Sequence, residues 1–299
     1  MTDIEHVGIV GCGLMGAGIA EVCARADVPV TVVERDAGAA RAGLRRITRS
    51  LDRAAAHGRL GAERREAAAA LITVTDQIEA LHDSTLVIEA VAEDERLKLD
   101  VFTRLDSVLT DDRTVLATNT SSIPVIRLAT ATGRPDRVVG VHFFNPVPVL
   151  RLVELVPSLL TSPETTARAE AFVTGRLGKE VVRTRDRAGF VVNALLVPYL
   201  LAAVRMVESG SATVEDIDRG MVLGCAHPLG PLALTDLIGL DTTRAIAESL
   251  YAEFREPLYS PPPLLSRMVE AGLLGRKSGR GFHTYRQPRH EAPVPAERP

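Results

Sequence analysis

The 299-residue chain has no tryptophan, and only 4% of it is aromatic. Of its 35 basic residues only Lys98, Lys179 and Lys277 are lysines. It has three cysteines, Cys12, Cys23 and Cys225. None is spaced as Cys-x-x-Cys, and no histidine stands near enough in sequence to complete a zinc pattern. No structural metal is expected, and the sparse thiols point to a reducing, cytoplasmic compartment. Neither charge dominates: 35 Lys plus Arg stand against 38 Asp plus Glu, a net charge of -3. A nucleic-acid partner, which would want a strong basic excess, is not expected. Long apolar runs are missing too. The longest uncharged stretch, Ala188 to Val204, holds 17 residues and includes Asn193 and Pro198. That is short of the ~20 apolar residues of a membrane span. Met1-Thr2-Asp3-Ile4-Glu5 is acidic where a signal peptide would be basic, so no leader or membrane association is expected.

What is present is the balance of a globular protein, 46% hydrophobic and 24% charged. The length suits about two domains of roughly 150 residues. In the first part, short β-branched runs alternate with helical patterns. Strands are predicted at Val7–Val10, Val30–Val33, Thr73–Val74, Leu86–Ile88, Thr114–Ala117 and Val138–His142. Helices such as Leu14–Arg25 and Glu95–Val108 lie between them. That alternation predicts an α/β fold, a parallel sheet covered by helices on both faces. After Gly189 the strands stop. Phe190–Glu208, Val214–Leu223, Asp241–Phe254 and Leu264–Glu270 read as helices, the first expected to kink at Pro198. The expected division is an α/β domain over 1–186, an all-helical domain over 187–286, and a Pro-rich disordered tail over 287–299.

Gly11, Gly13 and Gly16 give Gly-x-Gly-x-x-Gly between the first strand and the first helix. The first glycine makes a tight turn, the second lets a pyrophosphate approach the backbone, and the third lets helix pack on strand. The helix N-terminus offers free N–H groups to the anion. Glu34 follows the next strand, 18 residues after Gly16, where a carboxylate accepts hydrogen bonds from both adenosine ribose hydroxyls. With this turn the 1–186 domain is expected to be a Rossmann-type dinucleotide-binding domain; the alternative is a tight turn without a ligand. Arg35 is expected to point away from Glu34 by strand alternation.

His142 ends the apolar run Val138-Val139-Gly140-Val141, and Arg151–Val156 is a second alternating run. If the two lie side by side, Glu154 returns beside His142 and the pair has the form of a base oriented by a carboxylate. On pattern alone, a histidine at a strand end is more often structural.

A set of longer stretches carries a resemblance. They are Gly11–Ala20 (GCGLMGAGIA), Val87–Glu93 (VIEAVAE), Asn119–Ser122 (NTSS), His142–Val149 (HFFNPVPV), Leu152–Val156 (LVELV), Gly189–Asn193 (GFVVN), Leu196–Leu200 (LVPYL), Gly239–Thr243 (GLDTT) and Gly275–Tyr285 (GRKSGRGFHTY). From Val7 to Tyr285 the sequence resembles the L-3-hydroxyacyl-CoA dehydrogenase family, which includes 3-hydroxybutyryl-CoA dehydrogenases. The resemblance implies catalytic roles for His142, Glu154, Ser121 and Asn193, with Ser121 and Asn193 also binding substrate. It implies NAD as cofactor, held at Gly11, Gly13, Leu14, Met15, Gly16, Glu34, Glu93, Lys98 and Asn119. It also implies a homodimer through the helical domain and a place in fatty acid metabolism. Each residue has a plainer alternative: Asn119–Ser122 as the cap of a helix starting near Pro124, Glu93 and Lys98 as a solvated helix face, and Asn193 satisfying its own helix.

Arg41, Arg45, Arg49 and Arg53 recur at i+4 on a predicted helix. They either meet the phosphates of coenzyme A, with Arg49 and Arg53 the candidates, or form a solvated face. The function implied is interconversion of (3S)-3-hydroxyacyl-CoA and 3-oxoacyl-CoA. The alternatives are the same chemistry on an acyl-carrier-protein-bound or other small hydroxyacyl substrate, and a non-catalytic dinucleotide-binding protein. A lysine base on the helical domain is disfavoured, since none lies near Asn193.

Overall fold

Five runs that are apolar on both faces, VGIV, VTVV, LVIE, VLAT and VVGVHF, become strands buried along their whole length. Strands covered on both sides read this way because neither face meets water. In the computed structural model, which describes residues 3–285, they are β1 (Val7–Val10), β2 (Val30–Val33), β4 (Leu86–Glu89), β5 (Val115–Thr118) and β6 (Val138–Phe143). With β3 (Ile72–Thr75), β7 (Leu152–Pro157) and β8 (Glu180–Arg183) they make one sheet of order β3-β2-β1-β4-β5-β6-β7-β8. The helices of this unit are α1 (Leu14–Arg25), α2 (Ala37–Ala56), α3 (Ala62–Ala70), α4 (Glu95–Val108), α5 (Val125–Ala129) and α6 (Pro163–Ala171). Two apolar clusters surround the sheet, one including Ile9, Ile19, Ile47 and Phe143, the other Phe102, Leu105, Leu116 and Val138.

The order reverses at β1, with β2 on one side and β4 on the other. At such a switch point the chain leaves the two strand ends in opposite directions and opens a crevice at their carboxyl ends. The sheet departs from the expected parallel arrangement at one edge. β7 runs antiparallel to β6, and β8 parallel to β7. The connection between β6 and β7, residues 144–151, is too short for a crossover helix, so the chain must double back. β8 and α6 have no counterpart among the predicted elements. β8 is a mostly exposed edge strand without an apolar run to mark it.

The chain divides into two compact units, Met1–Val191 and Val192–Pro299. The second is helical: α7 (Val192–Glu208), α8 (Val214–Cys225), α9 (Pro231–Ile238), α10 (Leu240–Phe254) and α11 (Pro263–Glu270). α7 continues through Pro198. Two aspartates tie this unit together. Asp218 accepts from the amides of Leu232 (2.7 Å) and Ala233 (2.9 Å) at the start of α9. Asp236 accepts from the amides of Phe282 and His283 and from the Tyr285 hydroxyl. A Cβ on Gly281 would lie 1.9 Å from Asp236 Oδ1, so the closing GRGF run needs glycine there. The expected tail, 287–299, lies outside the described residues.

Candidate active site

The glycine turn follows β1. Gly11 has φ +93°, and a Cβ there would sit 2.8 Å from the Ala90 carbonyl oxygen. A Cβ on Gly16 would sit 1.9 Å from Gly11 O, so strand and helix meet only through glycine. A Cβ on Gly13 would meet nothing within 4 Å. Gly13 is the N-cap of α1, and neither a capping side chain nor a first-turn acid satisfies that helix start. Leu14 and Met15 open the helix there, Leu14 exposed and Met15 half-buried. The positive helix end with open amides is what a pyrophosphate needs. These residues fit a dinucleotide.

Beside the turn lies a groove of about 350 Å³, lined by Gly11, Gly13, Glu34, Arg35, Ile78 and Val101 among others. Glu34 Oε1 accepts from the Cys12 amide at 2.7 Å, so this carboxylate also holds the turn in place. Arg35 does not point away from Glu34 as strand alternation predicts: both line the groove. β2 ends at Val33, so the pleat no longer governs the two residues beyond it. Arg35 pairs with Asp36 at 3.2 Å, and Asp36 caps α2 through the Ala39 amide. Arg46, one residue off the arginine stripe, reaches the Cys12 carbonyl. Its only sequence signal is its place beside buried Ile47.

Lys98 is neither a solvated face nor a free cation. It is 1% exposed, and its Nζ lies 2.6 Å from Glu89 Oε1 and 3.2 Å from Glu93 Oε2. Glu89, wholly buried at the end of β4, also accepts from the Val91 amide and the Thr118 hydroxyl. Glu93 Oε1 collects the Thr120 hydroxyl (2.6 Å), the amides of Ser121 (2.9 Å) and Ser122 (3.1 Å), and the Ser122 hydroxyl (3.0 Å). Burial alone would push the Glu93 carboxyl up. The Lys98 ammonium and the donors from Thr120, Ser121 and Ser122 outweigh burial and hold it below the usual glutamate value. Glu93 therefore shapes the NTSS loop. Ser121 Oγ stands 3.3 Å from the same oxygen. The α5 cap comes from elsewhere than NTSS: Asp186 accepts from the amides of Val125 and Ile126, both at 2.8 Å. Glu89 was missed as a site residue. Its signal was a carboxylate inside the apolar VIEAVAE run.

His142 and Glu154 face each other as register partners across β6 and β7. Nδ1 of His142 lies 2.8 Å from Glu154 Oε2, with both side chains buried. An ionised carboxylate only accepts, so Nδ1 carries the proton and Nε2 is left as the basic nitrogen. Nε2 has no hydrogen-bond partner among the described residues. Glu154 Oε1 accepts from the Val191 amide at 2.9 Å. The His142 ring sits against Phe144 (4.6 Å) and Phe190 (5.5 Å). Asn119 Oδ1 accepts from the Phe143 amide at 2.8 Å, fastening the NTSS loop to the strand that carries His142. Asn193 stands in the first turn of α7, in the other unit. Arg41, Arg45, Arg49 and Arg53 are exposed on α2. Among the described residues no cluster of three or more His, Cys, Asp or Glu is arranged to hold a metal, and no helix is long and apolar enough to cross a membrane.

The 3-hydroxyacyl-CoA dehydrogenase NAD-binding-domain model matches residues 6–187, and the C-terminal-domain model of the same name matches 189–285. The chain belongs to the 3-hydroxyacyl-CoA dehydrogenase family. It is 58% identical over 286 residues to a 3-hydroxybutyryl-CoA dehydrogenase of Mycobacterium tuberculosis, covering 95% of this chain and 100% of the relative. The crystal structure of M. tuberculosis FadB2 superposes with TM-score 0.94 at 58% identity, over 95% of this chain and 99% of that one. The (S)-3-hydroxybutyryl-CoA dehydrogenase PaaH1 of Ralstonia eutropha superposes with TM-score 0.90 at 43% identity, over 95% and 100%. As a member of this family the chain is an NAD-dependent oxidoreductase with a Rossmann-like domain followed by a helical one.

The Lys98 cluster has a measurable consequence. Lys98→Met removes the cation and leaves Glu89 buried beside a second carboxylate. The expected loss is about 3–5 kcal/mol of unfolding free energy in urea, the range for breaking one side of a buried ion pair. Adding Glu89→Gln should recover part of it. A loss under about 1 kcal/mol, the scale of an exposed pair, would show that Lys98 does not compensate these charges.

Proposed function

We propose that this oxidoreductase interconverts (3S)-3-hydroxyacyl-CoA and 3-oxoacyl-CoA, with short acyl chains such as 3-hydroxybutyryl as substrates. The observation that carries the reading is the buried His142–Glu154 pair, which leaves one imidazole nitrogen basic. In the oxidation direction His142 Nε2 takes the proton from the 3-hydroxyl, and in reduction it returns that proton. Glu154 holds the tautomer and stabilises the imidazolium that forms. Ser121 and Asn193 hydrogen-bond the reacting oxygen or the thioester carbonyl, which positions C3. NAD, when bound, supplies the hydride acceptor. The amides around Gly11, Gly13, Leu14, Met15 and Gly16 hold its pyrophosphate, and Glu34 its adenosine ribose. Glu93 would serve the nicotinamide ribose. Lys98 acts there by fixing Glu93, and Asn119 by fixing the His142 strand.

On this reading residues 1–186 bind the cofactor and 187–286 serve substrate binding and dimerisation. The protein works as a cytoplasmic homodimer in fatty acid metabolism, without a nucleic-acid or membrane partner. Arg49 and Arg53, with Arg41 and Arg45, meet the coenzyme A phosphates.

His142→Ala should lower kcat with acetoacetyl-CoA and NADH by about 10²–10⁴-fold, the usual weight of general acid–base work, while the Kd for NADH stays within a few-fold. Glu154→Gln should cost less, because the imidazole keeps its basic nitrogen and loses only the carboxylate that fixes its tautomer. Near-normal turnover in folded His142→Ala would remove His142 from the mechanism.

Replacing Arg49 and Arg53 together by Ala should raise KM for acetoacetyl-CoA and leave the N-acetylcysteamine thioester unaffected, because that analogue lacks the phosphates. If both substrates change equally, or neither does, the stripe is a solvated face. An unchanged KM for acetoacetyl-CoA beside a raised KM for an acyl-carrier-protein thioester would favour the protein-bound substrate.

Cofactor choice depends on Glu34. Its carboxylate accepts from the ribose 2′- and 3′-hydroxyls of NAD and repels the 2′-phosphate of NADP. Arg35 in the same groove moderates that repulsion. NADH should be preferred in kcat/KM by about 1–3 kcal/mol, the size of a charged hydrogen bond. Glu34→Ser should erode the preference, and adding Arg35→Ala should then weaken NADPH more than NADH. Equal kcat/KM for the two cofactors in the wild type would show that Glu34 does not set the choice.

A further inference from the structure

A second cavity of about 350 Å³ lies away from the dinucleotide groove in the sheet-bearing unit. Its walls are the end of α1, the loop between β6 and β7, and the turn before β8. Four cations line it, Arg25, Arg151, Arg176 and Lys179, and no carboxylate does. The proposed chemistry gives it no role.

The counter-charges lie outside the lining and leave part of the cavity uncompensated. Arg25 pairs with buried Glu21 at 3.2 Å, and Arg151 with exposed Glu180 at 2.7 Å. Among the described residues Arg176 donates only to the Asp27 carbonyl, at 3.4 Å. Lys179 is 8% exposed, and its Nζ donates to the carbonyls of Val147 and Leu150, both at 2.7 Å. An ammonium has three donors, so one N–H of this buried group remains. Burial, and after it the charge of Arg25, hold Lys179 below the ordinary lysine value. An anion in the cavity would oppose both effects.

We propose that this cavity is a second anion site that takes a pyrophosphoryl group, either free or on a nucleotide. Guanidinium groups bind phosphate oxygens in pairs, and a lysine supplies a point charge to them. Four cations around a space of this size match two linked phosphates better than one. Through Lys179 the site is tied to the loop that follows the His142 strand.

The test uses the full chain saturated with NADH, which keeps the dinucleotide turn filled, and inorganic pyrophosphate as probe at constant ionic strength. Pyrophosphate should raise the melting temperature and bind measurably by calorimetry. Arg151→Ala with Arg176→Ala, both exposed residues, should weaken that binding at least tenfold, and Lys179→Met should do the same if it folds. A parallel titration with ADP separates the sources: tighter binding of ADP assigns a nucleotide, and tighter binding of pyrophosphate assigns the free anion. Equal binding to the wild type and the double-arginine variant, or no binding of either probe to the wild type, would overturn the proposal.

Discussion

A carboxylate cannot be taken out of water without partners, and this chain buries several with partners, among them Glu89, Glu154 and Asp236. The uncompensated penalty is several kcal/mol for each ion, so every buried acid must find donors in the fold. Glu154 finds the imidazole of His142 and the Val191 amide. Glu89 finds the Lys98 ammonium, the Thr118 hydroxyl and the Val91 amide. In the helical unit Asp218 and Asp236 take backbone amides from segments far along the chain. Each pairing specifies where two distant segments meet. A one-residue slip of β7 against β6 would turn Glu154 to the other face and strand its charge, because the side-chain period of a strand is two.

The same constraint holds the loop after β5 in place. Glu93 is gripped by Lys98 on one oxygen, and its other oxygen gathers donors from Thr120, Ser121 and Ser122. Asn119 then joins that loop to the histidine strand. The chain of contacts runs from the end of β4 through the loop after β5 to β6. Loop residues held this way keep a fixed geometry, which an unanchored loop would not, and the proposed proton transfer and substrate positioning require one. At the glycine turn the control is steric: Gly11 and Gly16 leave no room for a Cβ, while Gly13 faces open space.

Much of this was readable from local pattern. Five strand runs of the first unit are apolar on both faces, and most of the predicted boundaries fall within a residue or two of the observed ones. Leu14–Arg25 and Glu95–Val108 are the helices α1 and α4 as expected. Strand, glycine turn, helix, strand and acid in that order are short-range features that each segment specifies by itself. The facing of His142 and Glu154 was available only as a condition, since it required the two runs to pair. α9 and β8 escaped because one is a short run with no polar face to show a period and the other an exposed edge.

By itself, then, the sequence determined the class of fold, the phosphate-binding turn and the chemical types at the site, because propensity, period and glycine placement act within a few residues. Only the tertiary structure decided that Lys98 is buried between Glu89 and Glu93, that Asp186 rather than the NTSS run caps α5, that the sheet reverses at β7, and that Arg35 shares the groove with Glu34. Those outcomes rest on which distant group supplies a donor or a charge, and on where a strand stops. Both are set by the packing of the whole sheet and its helices, which no local window contains.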